Sequence, residues 1–156
     1  MSQLSKLQAK IGGPAADLDK AAMLLAAQRN LDAVTPKIEA ALLEQRRVLQ
    51  ATLSQGDVSL QDIFSAAHQI RGMAGSIGRA TLGALGDVLA SYITECADAG
   101  VVCADVPLRA LASALDRSFD QAEGDAVLIE TLAAAKKLVL LFGPTRRSAT
   151  GDLAKS

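Results

Sequence analysis

The chain has 156 residues, a formal net charge of -1, and half its residues hydrophobic with only 3% aromatic. That length suffices for one domain with its own apolar core, without disulfide or metal staples. The near-neutral charge lacks the basic footprint from which nucleic-acid binders draw most of their affinity, so DNA and RNA are not expected partners. Ala and Leu dominate the apolar content, which favours helices over strands, and the expected fold class is all-α. No segment approaches the roughly 20 apolar residues that span a bilayer, and the N-terminus has no apolar signal region. The expectation is a cytoplasmic protein with no membrane partner. Cys96 and Cys103, the only cysteines, cannot make a disulfide framework or a four-ligand zinc site, and read as free thiols.

Residues 1 to 16 carry the Gly12-Gly13-Pro14 breaker and read as a flexible tail. Asp17 then offers an N-cap to an accessory helix, within residues 17 to 34, that places Leu18, Ala22 and Leu25 on one face. Thr35-Pro36 is a cap residue before a first-position proline and starts a second helix to about residue 54, with Ile38, Leu42, Gln45, Leu49 and Leu53 at helical spacing. Ser59, with Asp62 three residues on, starts the next. Its seam of Ile63, Ala67, Ile70, Ala74 and Ile77 steps by four, three, four and three. Gly78 ends it, and the short link predicts an antiparallel hairpin with a helix over 79 to 97 that faces Leu82, Leu85, Leu89 and Tyr92 inward. Asp105 and Pro107 start a helix carrying Leu108, Leu111, Leu115 and Phe119, and Asp125 starts the last, with Leu128, Leu132, Ala135, Val139 and Phe142 inward. Gly143-Pro144 stops it, and residues 143 to 156 read as a second flexible tail. The expected architecture is an up-down antiparallel four-helix bundle over residues 36 to 142 with an additional N-terminal helix.

His68 is the sole histidine. On a helix of 3.6 residues per turn it falls about 140° from the centre of the apolar seam, and so points to water. Gly72 and Gly75 lie four and seven residues further on, along the same stripe. A glycine inside a helix costs about 1 kcal/mol relative to Ala, so stability is given up along that stripe alone. Bare backbone there lets a partner lie flat against the helix and reach the imidazole. Close helix packing is the competing explanation for the two glycines. Arg71, three residues from His68, can fold its guanidinium over an anion held on the ring, or pair with a carboxylate such as Asp62. Imidazole as a class titrates near pH 6.5, so its neutral, nucleophilic form is present at neutral pH.

The run Ala67-His68-Gln69-Ile70-Arg71-Gly72, followed by Ala74-Gly75, Gly78 and Leu82, resembles the signature of the histidine-containing phosphotransfer (HPt) domain family. The resemblance covers roughly residues 36 to 120, and its specific part is about fifteen residues long. It implies a four-helix bundle in which His68 is the phospho-acceptor. Arg71 then stands where the family usually has Lys, and Gly72 and Gly75 at the small positions of the docking surface. It also implies exchange of phosphate with the aspartate of a response-regulator receiver domain, alone or within a hybrid histidine kinase. The receiver brings the Mg²⁺, so no cofactor or metal is expected on this chain. One marker departs: the glutamate that often follows the leucine of the next helix is Ala90 here, beside Leu89.

Phe64, one turn before His68, either caps the bundle or offers apolar surface to a docking receiver, and Arg79 either adds positive potential near the site or is a solvated helix-start residue. No kinase-type glycine loop or P-loop is evident, so the expected role is a phosphorelay carrier in two-component signalling and not an enzyme. The initiating Met and short tail favour a free-standing carrier. The alternative is a helical-bundle interaction protein that docks a receiver or other regulator without moving phosphate. An enzyme using His68 as general base is weaker, because no Ser, Cys or acid sits at helical spacing to work with it.

Overall fold

The computed structural model describes residues 14–144, and among these it holds five helices and no strand. They are α1 (Pro14–Leu53), α2 (Leu60–Ser76), α3 (Ala80–Asp98), α4 (Asp105–Ser118) and α5 (Ala126–Phe142). The chain divides into two units between Glu39 and Ala40, a few residues beyond the boundary expected at 34 to 36. Residues 1–13 and 145–156, which hold most of both expected tails, lie outside the described residues.

The first unit corrects the sequence reading. Instead of an accessory helix followed by a second one, α1 is a single helix that begins at Pro14, inside the expected tail, and passes through Pro36. Proline at a helix start is favoured because its missing N–H has no intrahelical partner there. At Pro36 the missing N–H leaves the Asp32 carbonyl without its usual donor, and the helix nevertheless continues through Lys37, Glu39 and Ala40, which are good helix formers. Thr35 does not act as a cap either: its hydroxyl donates to the Leu31 carbonyl at 2.7 Å, the i−4 bond of a helix interior. The expected apolar face is uncovered within this unit, with Leu18 71% and Leu25 60% exposed.

The unit from Ala40 onward holds the core. Leu42 and Leu49 of α1 are buried in it, as are Ile63, Ala67, Ile70 and Ala74 of α2, all on the predicted seams. Ile77, the last seam residue, is half-buried. Ser59 caps α2 by accepting from the Asp62 N–H at 3.3 Å. The helix closes where the Arg79 N–H donates to the Ala74 carbonyl at 2.9 Å, a turn that requires positive φ at Gly78, here +79°. α3 returns antiparallel, burying the predicted Leu82, Leu85, Leu89 and Tyr92.

The contact between α2 and α3 is closer than large apolar residues allow. A Cβ on Gly86 would lie 2.8 Å from the Ala67 carbonyl oxygen and 3.1 Å from the Arg71 nitrogen. A Cβ on Gly83 would lie 3.4 Å from the Arg71 carbonyl oxygen. With buried Ala90, these residues make a small-residue stripe on α3 against which the α2 backbone rests. The sequence reading placed this role, as the competing explanation, on Gly72 and Gly75, where an added Cβ meets nothing within 4 Å.

α4 packs on α3 and α5 and buries Leu108, Leu111 and Leu115, while Phe119 is half-buried. Asp105, expected as its cap, is instead the first helical residue and pairs with Arg109 at 2.9 Å. Asp125 does cap α5, accepting from the Val127 N–H at 2.8 Å. Of the inward face predicted for α5, Leu128 and Ala135 are buried, Leu132 and Val139 half-buried, and Phe142 is 41% exposed. Periodicity gives the direction of a face but not whether a neighbouring element reaches its last turn.

Three arginines tie the unit together. Arg46 of α1 donates to Asp116 and Asp120 at 2.9 Å, and the two carboxylates, Asp120 first, hold its charge above the ordinary guanidinium range. Arg79 donates to the carbonyls of Ser118, Phe119 and Gln121 at and just past the end of α4, and Arg109 to those of Leu53, Gln55 and Gly56 at the end of α1. Both satisfy carbonyls that a helix terminus leaves without internal partners.

Candidate functional site

His68 is exposed in the middle of α2, flanked by the buried Ala67 and two residues before the buried Ile70. Its direction follows from the seam, whose centre lies about 140° around the helix from it. Gly72 and Gly75 are also exposed and open, so the stripe running C-terminal from the imidazole is bare backbone. Phe64, half-buried one turn earlier, stacks on the imidazole with ring centroids 5.9 Å apart and planes 13° from parallel. Phe64 therefore stands beside the imidazole with its ring nearly parallel to it, while its half-buried position also contacts the bundle.

α3 supplies the other wall. A shallow hollow is lined by Phe64, His68 and Arg71 from α2 and by Ser91, Thr94 and Glu95 from α3. Next to it, Leu60, Gln61, Phe64, Ile93, Thr94 and Ala97 line a second, more apolar hollow, and Phe64 lines both. Ser91 and Thr94 are hydroxyl residues that the sequence reading did not find; Ser91 donates to Asp87 at 3.4 Å, and Thr94 to the Ala90 carbonyl at 3.0 Å. They come from a different helix, and only the close packing at Gly83 and Gly86 sets them facing His68.

Arg71 is held, but not by Asp62. Its Nε lies 3.3 Å from Oδ1 of Asp87, and the Ser91 hydroxyl donates to the same oxygen at 3.4 Å. Both side chains are about half exposed, at 56% and 48%. Asp87 stands one turn before Ala90, the position at which the expected glutamate is missing. Arg79, named as a docking residue, is not among the residues lining the hollow: its guanidinium is spent on the carbonyls at and just past the end of α4 and lies 5.8 Å from the Phe119 ring centroid.

Among the described residues, no cluster of three or more His, Cys, Asp or Glu side chains could hold a metal ion, and no helix is long and apolar enough to cross a membrane. Cys96 and Cys103 are free thiols, and burial together with hydrogen bonding to Cys96 pushes the Cys103 thiol up to about 12. That leaves it a poor nucleophile at neutral pH. No family model, curated protein or solved structure matches the chain.

Proposed function

We propose that the chain is a phosphorelay carrier of the histidine-containing phosphotransfer type, accepting a phosphoryl group on His68 from a receiver-domain aspartate and returning it to another. The single observation that carries the reading is the exposed, ring-stacked His68 on a helix face left open at Gly72 and Gly75. In this reading the unit from Ala40 onward is an up-down four-helix bundle, and the apolar hollow beside Phe64 receives part of the receiver's surface. A ring nitrogen of His68 donates its lone pair to phosphorus as the P–O bond to the aspartyl carboxylate breaks. The carboxylate leaves with that electron pair, and the second ring nitrogen releases its proton to solvent. The Mg²⁺ stays with the receiver. Arg71, freed from Asp87, supplies a guanidinium to the phosphoryl oxygens, and Ser91, whose hydroxyl leaves the same carboxylate, supplies a hydroxyl donor.

The test is incubation of wild type and His68→Gln with a phosphorylated receiver domain. Wild type is expected to gain an acid-labile, alkali-stable label, and the folded variant none. Equal labelling of the two would overturn the proposal. Receiver binding by wild type with no label at all would point to a docking protein that moves no phosphate.

A further inference from the structure

We propose that Asp87 is a positioning residue for the phosphoryl site, holding Arg71 away from the imidazole until a phosphoryl group competes for it. The inference rests on the phosphorelay reading of His68 and concerns how that site is regulated. Gly86 is pinned against the Ala67 carbonyl and the Arg71 backbone, which leaves the next residue, Asp87, beside the Arg71 side chain by construction. The charged groups around the hollow are Arg71 on α2 and Asp87 and Glu95 on α3, and Lys136 on α5 lines an adjoining hollow with Asp87 and Ser91. Arg71 is therefore neutralised by Asp87 while His68 is bare. Both partners are half exposed, so water weakens the pair and leaves it openable.

A phosphoryl group on His68 changes the balance. It carries close to two negative charges near neutral pH and three acceptor oxygens, a stronger partner for a guanidinium than one carboxylate. Side chains at i and i+3 of a helix are neighbours, roughly 5–6 Å apart at Cβ, so Arg71 can turn to it without backbone movement. Asp87 then loses its cation and repels the phosphoryl dianion. In this way it keeps the phosphorylated state from becoming a sink, as a carrier that must release phosphate requires.

The experiment phosphorylates the full chain with phosphoramidate, a small donor that needs no receiver, and follows the phosphoryl ionisation by phosphorus NMR against pH. Asp87→Asn is expected to strengthen that acidity about threefold, because Arg71 is released and a repelling charge removed. In an Arg71→Ala background the same substitution should lose at least half of its effect. An unchanged titration for Asp87→Asn, or an equal shift with and without Arg71, would overturn the inference while leaving the labelling of His68 intact. The same holds if Glu95→Gln reproduces the shift, since the effect would then be a general field and not a hold on Arg71. Failure of wild type to take acid-labile phosphate on His68 at all overturns the phosphorelay reading, and this inference with it.

Discussion

Gly86→Ala and Gly72→Ala make opposite demands on one fold. At Gly86 the added methyl would stand 2.8 Å from the Ala67 carbonyl oxygen, with the Arg71 nitrogen at 3.1 Å and Ile70 Cγ2 at 3.4 Å. The first two are helix backbone and cannot rotate away, so α2 and α3 must separate along their whole contact. Overpacking of this kind costs about 1–3 kcal/mol, and the alanine recovers up to about 1 kcal/mol of helix propensity. A net loss of up to about 2 kcal/mol is expected. At Gly72 the same methyl meets nothing within 4 Å and the backbone is already helical, so only the propensity gain of about 0.8–1 kcal/mol remains. Urea denaturation followed by far-UV circular dichroism should therefore rank Gly72→Ala above wild type and Gly86→Ala below it. For a domain of this size each kcal/mol moves Tm by roughly 3–5 °C. A Gly86→Ala protein as stable as wild type would refute the close-packing argument. A destabilised Gly72→Ala would show that the stripe beside His68 is packed and not open.

Two further outcomes follow from the same geometry. Arg109→Ala removes donors from the Leu53, Gln55 and Gly56 carbonyls as well as the partner of Asp105, and should cost about 1–2 kcal/mol in the same denaturation assay; a loss below about 0.3 kcal/mol would mean that water replaces the clamp fully. Burial, chiefly, holds the Cys103 thiol and the Tyr92 phenol up to about 12, above their ordinary values of 9.0 and 10.0. A folded-state pKa raised above the unfolded one favours the neutral form on folding, so this stability is complete below about pH 9 and is lost as pH rises towards 12. The denaturation midpoint should fall between about pH 8 and about pH 11, and less steeply in Cys103→Ala; equal slopes would count against the thiol's role.

The helical seams were legible because a single helix face records its own burial. Ile63, Ala67, Ile70 and Ala74 alternate at three and four, and all four are buried. His68 could be placed on the opposite face by the same count. The Thr35-Pro36 pair misled because it carries a start signal that α1 overrides, local chemistry being weaker than the continuous helix around it. Phe142 misled because periodicity does not say where the neighbouring helix stops.

From the sequence alone came the all-helical class, the exposed position of the lone histidine, the bare stripe of Gly72 and Gly75, and a cation at Arg71. These are properties of one helix, set by its own 3.6-residue repeat. Only the tertiary structure decided what faces that stripe. Gly83 and Gly86 bring α3 against the α2 backbone, and with it come Ser91, Thr94, Glu95 and the Asp87 carboxylate that holds Arg71. Arg79 was likewise assigned by its neighbours, because the carbonyls it satisfies belong to residues 118 to 121, some forty positions away. Contacts between residues so distant in sequence depend on how helices pack, which no pattern within a single helix records.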